Sequence, residues 1–368
     1  MNELETKVYS ALGKLIDPEL GKPITELGMV GAISGDLKQL VVEIKLTVVH
    51  CPQADYIEQS AKALLEEVFP QVTIQMSVMS KAELDSLKIL LRGKQKSNPF
   101  TANSATRVIL VTSGKGGVGK STIASNLAVG LAKNGNKVGL IDADIFGFSI
   151  LSQMGVTARP TRLDDMMLPP ESHGVKVISI GMFFEGNEAI SWRGPMLHKA
   201  IEQFLVDVHW GELDYLVIDL PPGTGDVSIS LGQLLPHAKV LVVTTPQPAA
   251  AEVAIRSGLA AIKANQEIMG VVENMSWLEN GITRELIFGS GGAAKVAEQL
   301  TSAAGYPVEV LVQIPLNQSL AESSDQGMPL ILKDFEDNAS KELQKLVRTV
   351  AAVKLGKAAR TLTVKLGQ

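Results

Sequence analysis

The sequence predicts an α/β protein: a mostly parallel sheet covered on both faces by helices, preceded by a small α+β domain. Three observations predict it. Continuous apolar runs at Val138–Ile141, Val175–Ile180, Leu216–Ile218, Val240–Val243, Met269–Val272 and Val308–Ile314 are separated by helical patterns, as in strands buried on both faces. A glycine-rich run joins the apolar stretch Arg107–Thr112 to the Ala/Leu-faced stretch Thr122–Lys133, which reads as strand, loop and helix. Between residues 92 and 106 the chain turns basic, then Ser-, Asn- and Pro-containing, with no apolar period. That composition is a linker.

The boundaries follow. Residues 1–91 form the small domain, 92–106 the linker, 107–353 the larger domain and 354–368 a basic tail. Within the first domain, Glu3–Leu15 and Ala54–Val68 have helical periodicity, Gln39–Val49 alternates as a half-buried strand does, and Val72–Val78 is a short strand. From Asn338 a last helix is predicted before the tail.

The glycine-rich run carries the chemistry. Gly114, Lys115, Gly116, Gly117, Val118, Gly119, Lys120 and Ser121 fit G-x-x-x-x-G-K-[ST], and Thr122 opens the helix. Glycines let successive backbone N–H groups turn inward as an anion nest at a helix N-terminus, where the helix dipole also favours phosphate. Lys120 would reach the β- and γ-phosphates of ATP, and the Ser121 hydroxyl would ligate Mg²⁺. The expected fold is therefore a P-loop NTPase. Two apolar strands end on carboxylates, at Asp142-Ala143-Asp144 and at Leu216-Val217-Ile218-Asp219, which puts Asp142 and Asp219 near the Mg²⁺. The alternative reading of Asp144 is a helix N-cap before Ile145.

Composition excludes other classes. A chain of 368 residues, 45% hydrophobic, buries a large core, and a formal charge of −5 gives no electrostatic case for nucleic acid. No stretch approaches the ~20 apolar residues of a membrane span. The N-terminus shows no apolar signal region. One cysteine excludes an intrachain disulfide and fits a reducing cytoplasm, and the five histidines show no zinc-type spacing.

The run Lys115-Gly116-Gly117-Val118-Gly119-Lys120-Ser121 resembles the deviant P-loop ATPases, a dimerising group that includes ParA/MinD partitioning proteins and Mrp. That resemblance implies that Lys115 reaches the nucleotide of a partner subunit, as an arginine finger does, and that Asp144 orients the attacking water while Asp142 supports the metal. Further runs narrow it to the Mrp/ApbC family: Trp192-Arg193-Gly194-Pro195-Met196, Asp219-Leu-Pro-Pro-Gly-Thr-Gly-Asp226, Thr244-Thr-Pro-Gln247, Gly270-Val-Val-Glu-Asn-Met-Ser276, Phe288-Gly-Ser-Gly-Gly292 and Gln313-Ile-Pro-Leu316. Through Asp17-Pro18-Glu19, Leu46-Thr47 and Cys51-Pro52 the first domain resembles the module of bacterial Mrp and SufT-like proteins. The resemblance implies a homodimeric cytoplasmic ATPase that binds iron–sulfur clusters and passes them to apoproteins, with Asn274 reading the adenine edge.

One departure stands out. The family's Cys-x-x-Cys falls in a stretch that here, from Trp277 to Ile287, has no cysteine. A [4Fe–4S] cluster normally takes four thiolates, and a dimer of this chain offers two. Cys51 is a cluster ligand, a reactive thiol at a helix start or a small buried hydrophobe; the neighbouring His50 is a further ligand only in a shared site. Two other readings follow: a MinD/ParA-like positioning ATPase whose tail (Lys354, Lys357, Arg360, Lys365) lies on a membrane, and a nucleotide-gated adaptor recruiting clients through its first domain.

Overall fold

The computed structural model describes residues 2–49, 51–92, 97–144, 147, 149–183, 194–223, 231–280, 283–333 and 336–353. His50, Ile145, Trp192, Arg193, Thr224–Asp226 and the basic tail lie outside them. The chain divides into two compact units, one of Met1–Ser97, Pro160–Pro169 and Val206–Gly211, the other of Asn98–Arg159, Pro170–Leu205 and Glu212–Gln368.

In the first unit, helix α1 (Glu3–Leu12) starts in a capping box. Glu5 N donates to Asn2 Oδ1 at 2.8 Å and Asn2 N to Glu5 Oε2 at 2.8 Å, which satisfies two orphan donors of the first turn. Strand β2 (Gln39–Leu46) alternates, burying Leu40, Val42, Ile44 and Leu46. It pairs antiparallel with β1 (Val30–Gly35) and parallel with β3 (Gln71–Val78). The parallel pairing needs a crossover, supplied by α2 (Ala54–Glu66), whose Ile57, Ala61 and Leu65 face the core. Helix α3 (Lys81–Arg92) adds Leu87. It is tied to the hairpin of β6 (Thr161–Leu163) and β7 (Met166–Leu168) by Lys88–Asp164 and Arg92–Asp165, each at 2.8 Å. Leu163, Met166 and Leu168 complete the same core as Leu40 and Ile44.

The second unit is a nine-stranded sheet. Its parallel strands are β4 (Arg107–Ser113), β5 (Val138–Asp142), β9 (Val175–Ser179), β10 (Tyr215–Asp219), β11 (Lys239–Thr244), β12 (Glu267–Asn280) and β14 (Val310–Leu316). Antiparallel β8 (Glu171–Ser172) and β13 (Thr283–Glu285) join at β9 and β12. Ile109, Leu110, Leu140, Val217, Leu241 and Val271 are buried, as strands covered on both faces require. Helices α4 (Lys120–Lys133), α5 (Ser149–Gln153), α6 (Gly194–Val206), α7 (Pro248–Lys263), α8 (Gly292–Ala304), α9 (Gln318–Asp325) and α10 (Asn338–Ala352) connect or cover the strands. No described helix is long and apolar enough to cross a membrane.

Candidate nucleotide site

The site lies where open parallel sheets carry ligands, at the carboxyl ends of the central strands. Strand β4 runs into the glycine loop and α4 leaves it. Gly119 is the helix N-cap at φ +84° and Gly117 has φ +78°, left-handed conformations in which a Cβ is strained. Gly114 has a different reason. A Cβ there would stand 2.2 Å from the Val253 carbonyl carbon and 2.3 Å from Ala254 N, so α7 packs backbone to backbone against the loop. A Cβ on Gly116 would meet nothing within 4 Å. Val118 is buried, and the Thr122 hydroxyl accepts from Gln153 Nε2 at 3.3 Å.

Register brings the carboxylates together. Asp219 of β10 is paired with Asp142 of β5, and Asp142 with Ser179 of β9. Lys120, 6% exposed, places Nζ 2.7 Å from Asp219 Oδ1 and 3.4 Å from Asp144 Oδ2. Ser121 Oγ donates to Asp219 Oδ2 at 2.5 Å. Asp142 accepts from Asp144 N at 3.1 Å and Ser179 Oγ at 2.9 Å. Burial, and next the Asp219 charge, push the Asp142 carboxyl up to about 7; burial likewise raises Asp219, against the pull of Lys120. Three carboxylates around one lysine leave the site short of positive charge, which suits a divalent cation. Among the described residues no three His, Cys, Asp or Glu side chains make a ready metal cage. Mg²⁺ is commonly held by one or two carboxylates together with substrate phosphates. Ser121, Asp219 and Asp142 are the hard oxygen donors that would hold it. A helix start at Ile145 lies outside the described residues, and α5 is described from Ser149.

Two residues meet neighbours that the sequence does not show. Asn274 is buried, but its Nδ2 donates to Val118 O at 2.9 Å. A Cβ on Gly119 would lie 2.1 Å from that nitrogen. The amide braces the loop backbone in this arrangement. At Cys51 burial outweighs the Gln53 N–H at the start of α2, which pulls the thiol pKa down. Burial, with the Glu19 and Asp17 charges adding to it, pushes the thiol up to about 11. Its Sγ lies 3.9 Å from Glu19 Oε2, whose Oε1 accepts from Thr161 at 2.7 Å.

Lys115 Nζ donates to Gln247 Oε1 at 3.0 Å. Gln247 and Ser179 carried no role in the sequence. Their signals were the residue closing Thr244-Thr-Pro-Gln247 and the polar end of an apolar run.

A glycine loop leading from a parallel strand into a helix, its lysine and serine meeting a strand-end aspartate, defines a P-loop NTPase. The family described as NUBPL iron-transfer P-loop NTPase matches residues 104–351, and that described as iron-sulfur cluster assembly protein matches residues 5–76. An iron-sulfur cluster carrier protein of Mycobacterium bovis is 48% identical, over 98% of this chain and 96% of the relative. One of Bacillus subtilis is 41% identical over 85% and 88%. A nucleotide-binding protein from Archaeoglobus fulgidus, solved with ADP, is 34% identical with a TM-score of 0.50, covering 62% of this chain and 92% of that one. The chain belongs to the NUBPL-type iron-transfer P-loop NTPase family, with an iron–sulfur cluster assembly domain at its front.

Proposed function

We propose that this chain is an ATP-driven iron–sulfur cluster carrier of the Mrp type, acting as a cytoplasmic homodimer and passing clusters to apoproteins. The observation that carries the nucleotide half is the knot of Lys120, Ser121, Asp144 and Asp219. The lysine is held by carboxylates where a polyphosphate and its cation would exchange with them. Residues Gly114–Thr122 cradle ATP. Ser121, Asp142 and Asp219 hold Mg²⁺, which neutralises charge on the β- and γ-phosphates. Asp144 orients the attacking water. Lys115 supplies charge to the site of the second copy, an effect worth about 10³–10⁵ in rate for comparable fingers. Full-length similarity to carrier proteins supports the cargo half.

A second reading has its own observation. Cys51 is the only cysteine of the sequence, so two copies offer two thiolates where a [4Fe–4S] cluster normally takes four. On that ground the chain is a nucleotide-gated adaptor whose cluster sits on a partner. Two measurements divide the field. Lys120→Ala should lose most affinity for a labelled ATP analogue, and undiminished binding by the folded variant would remove the nucleotide assignment. Anaerobic reconstitution with iron and sulfide, counted per chain in wild type and Cys51→Ser, separates carrier from adaptor. A stable stoichiometric cluster in the wild type supports the carrier, and no iron supports the adaptor.

A further inference from the structure

Gln247 has a role that the nucleotide site alone does not call for, and it rests on the reading that Lys115 serves the nucleotide of a second copy. Lys115 and Gln247 are both half-buried, and the ammonium is bonded to the amide oxygen at 3.0 Å. Both backbones are pinned. Gln247 immediately precedes Pro248 at the start of α7, and its carbonyl accepts from Ala250 N and Ala251 N, each at 3.0 Å. On the other side Ser113 Oγ donates to Lys115 O at 3.0 Å. Gly114 leaves no room for even a methyl group against the Val253–Ala254 backbone of α7. What can change between these two residues is the side chains.

The chemistry of the tie is that of a releasable one. A neutral amide oxygen accepts from an ammonium more weakly than a carboxylate does. It also leaves the positive charge uncancelled, ready for a polyphosphate. A lysine destined for another subunit is here bonded within its own. We infer that Gln247 is a positioning residue for Lys115: it keeps the ammonium on its own subunit in the free chain and yields it when a nucleotide-loaded second copy presents phosphates. Releasing the tie is therefore part of the cost of assembling the active pair. Strengthening the tie should oppose assembly, and removing it should favour assembly.

The test uses the full chain as wild type, Gln247→Glu and Gln247→Ala, each also combined with Lys115→Ala. Self-association is measured by sedimentation with Mg²⁺ and a non-hydrolysable ATP analogue, and ATP turnover is followed against protein concentration. Gln247→Glu, which makes an ion pair, should raise the protein concentration for half-assembly about tenfold, while Gln247→Ala should lower it about threefold. Analogue affinity of the unassembled chain should not change. In the Lys115→Ala background neither substitution should shift assembly. A merely structural Gln247 would make both variants move the same way and would keep their effects without Lys115; either result overturns the inference. If Lys115→Ala abolishes turnover while both Gln247 variants match wild type, the inference fails and the trans-lysine reading stands. If the wild type stays monomeric, or Lys115→Ala turns over normally, that reading fails and takes this inference with it.

Discussion

Asp142→Asn should stabilise the nucleotide-free protein, and by more at pH 8 than at pH 5. Burial, with Asp219 beside it, lifts the Asp142 carboxyl from 3.8 to about 7. A carboxyl whose folded pKa lies above its unfolded one binds more protons in the native state. Stability from it is therefore complete below the unfolded value and is lost as pH rises to and through the folded value. A shift of about three units, at 1.36 kcal/mol per unit, amounts to ~4 kcal/mol in full. Integrated between pH 5 and pH 8, the loss is about 2–3 kcal/mol. Asparagine has nearly the same shape and no charge to desolvate. Its oxygen can accept from Asp144 N, as the carboxylate now does, and its amide can face Ser179 Oγ. Urea unfolding in EDTA at pH 5.0 and 8.0 would read the difference. The variant should gain on the wild type by that 2–3 kcal/mol more at the higher pH. An equal difference at both pH values would refute the burial argument. The residue proposed to hold a cation in this site is thus one the nucleotide-free fold would be more stable without.

Three other outcomes are expected. Asp144→Ala should bind Mg²⁺–ATP but hydrolyse it at least about a hundredfold more slowly, as losing the group that positions an attacking water does; a wild-type rate would move that role elsewhere. Gly119→Ala should cost about 1–3 kcal/mol in urea unfolding, from a strained φ of +84° and a clash with Asn274 Nδ2, and an unchanged stability would show that the loop absorbs both. Cys51 should react with iodoacetamide at pH 8 on the order of a hundredfold more slowly than free cysteine, its rate rising about tenfold per pH unit towards 11; fast alkylation at pH 7 would show a thiolate that the Asp17 and Glu19 surroundings do not predict.

The sheet is legible in the sequence because its strands are continuous apolar runs, and the loop because few sequences put four glycines and Lys-Ser between such a strand and a helix. What is missed has no burial signal. Strand β1 follows an irregular pattern, and β13 is exposed at every residue. The extension of β12 to Asn280 is separated from the apolar run Met269–Val272 by Glu273, Asn274 and Ser276, and Arg284 stacks 4.3 Å from the Trp277 ring centroid. At the site, the roles of single residues follow from register and approach distances. Nothing in the sequence aligns Ser179 beside Asp142, aims Asn274 at Val118 or surrounds Cys51 with carboxylates. The motif identifies the loop; only the fold says which neighbours each side chain meets.

The first unit has an order-of-synthesis problem. Its core includes Leu163, Met166 and Leu168, which follow the end of α3 at Arg92 by roughly seventy residues. At about 5–20 residues per second, a nascent chain would wait several seconds with Leu87 and its neighbours uncovered before the hairpin emerges. During that interval the glycine loop and its first strands are themselves being made. A chain stopped at residue 92, whether by a protease, a truncation or a stalled ribosome, is therefore not a small finished domain but an unfinished one, with an apolar face that quality control can grip.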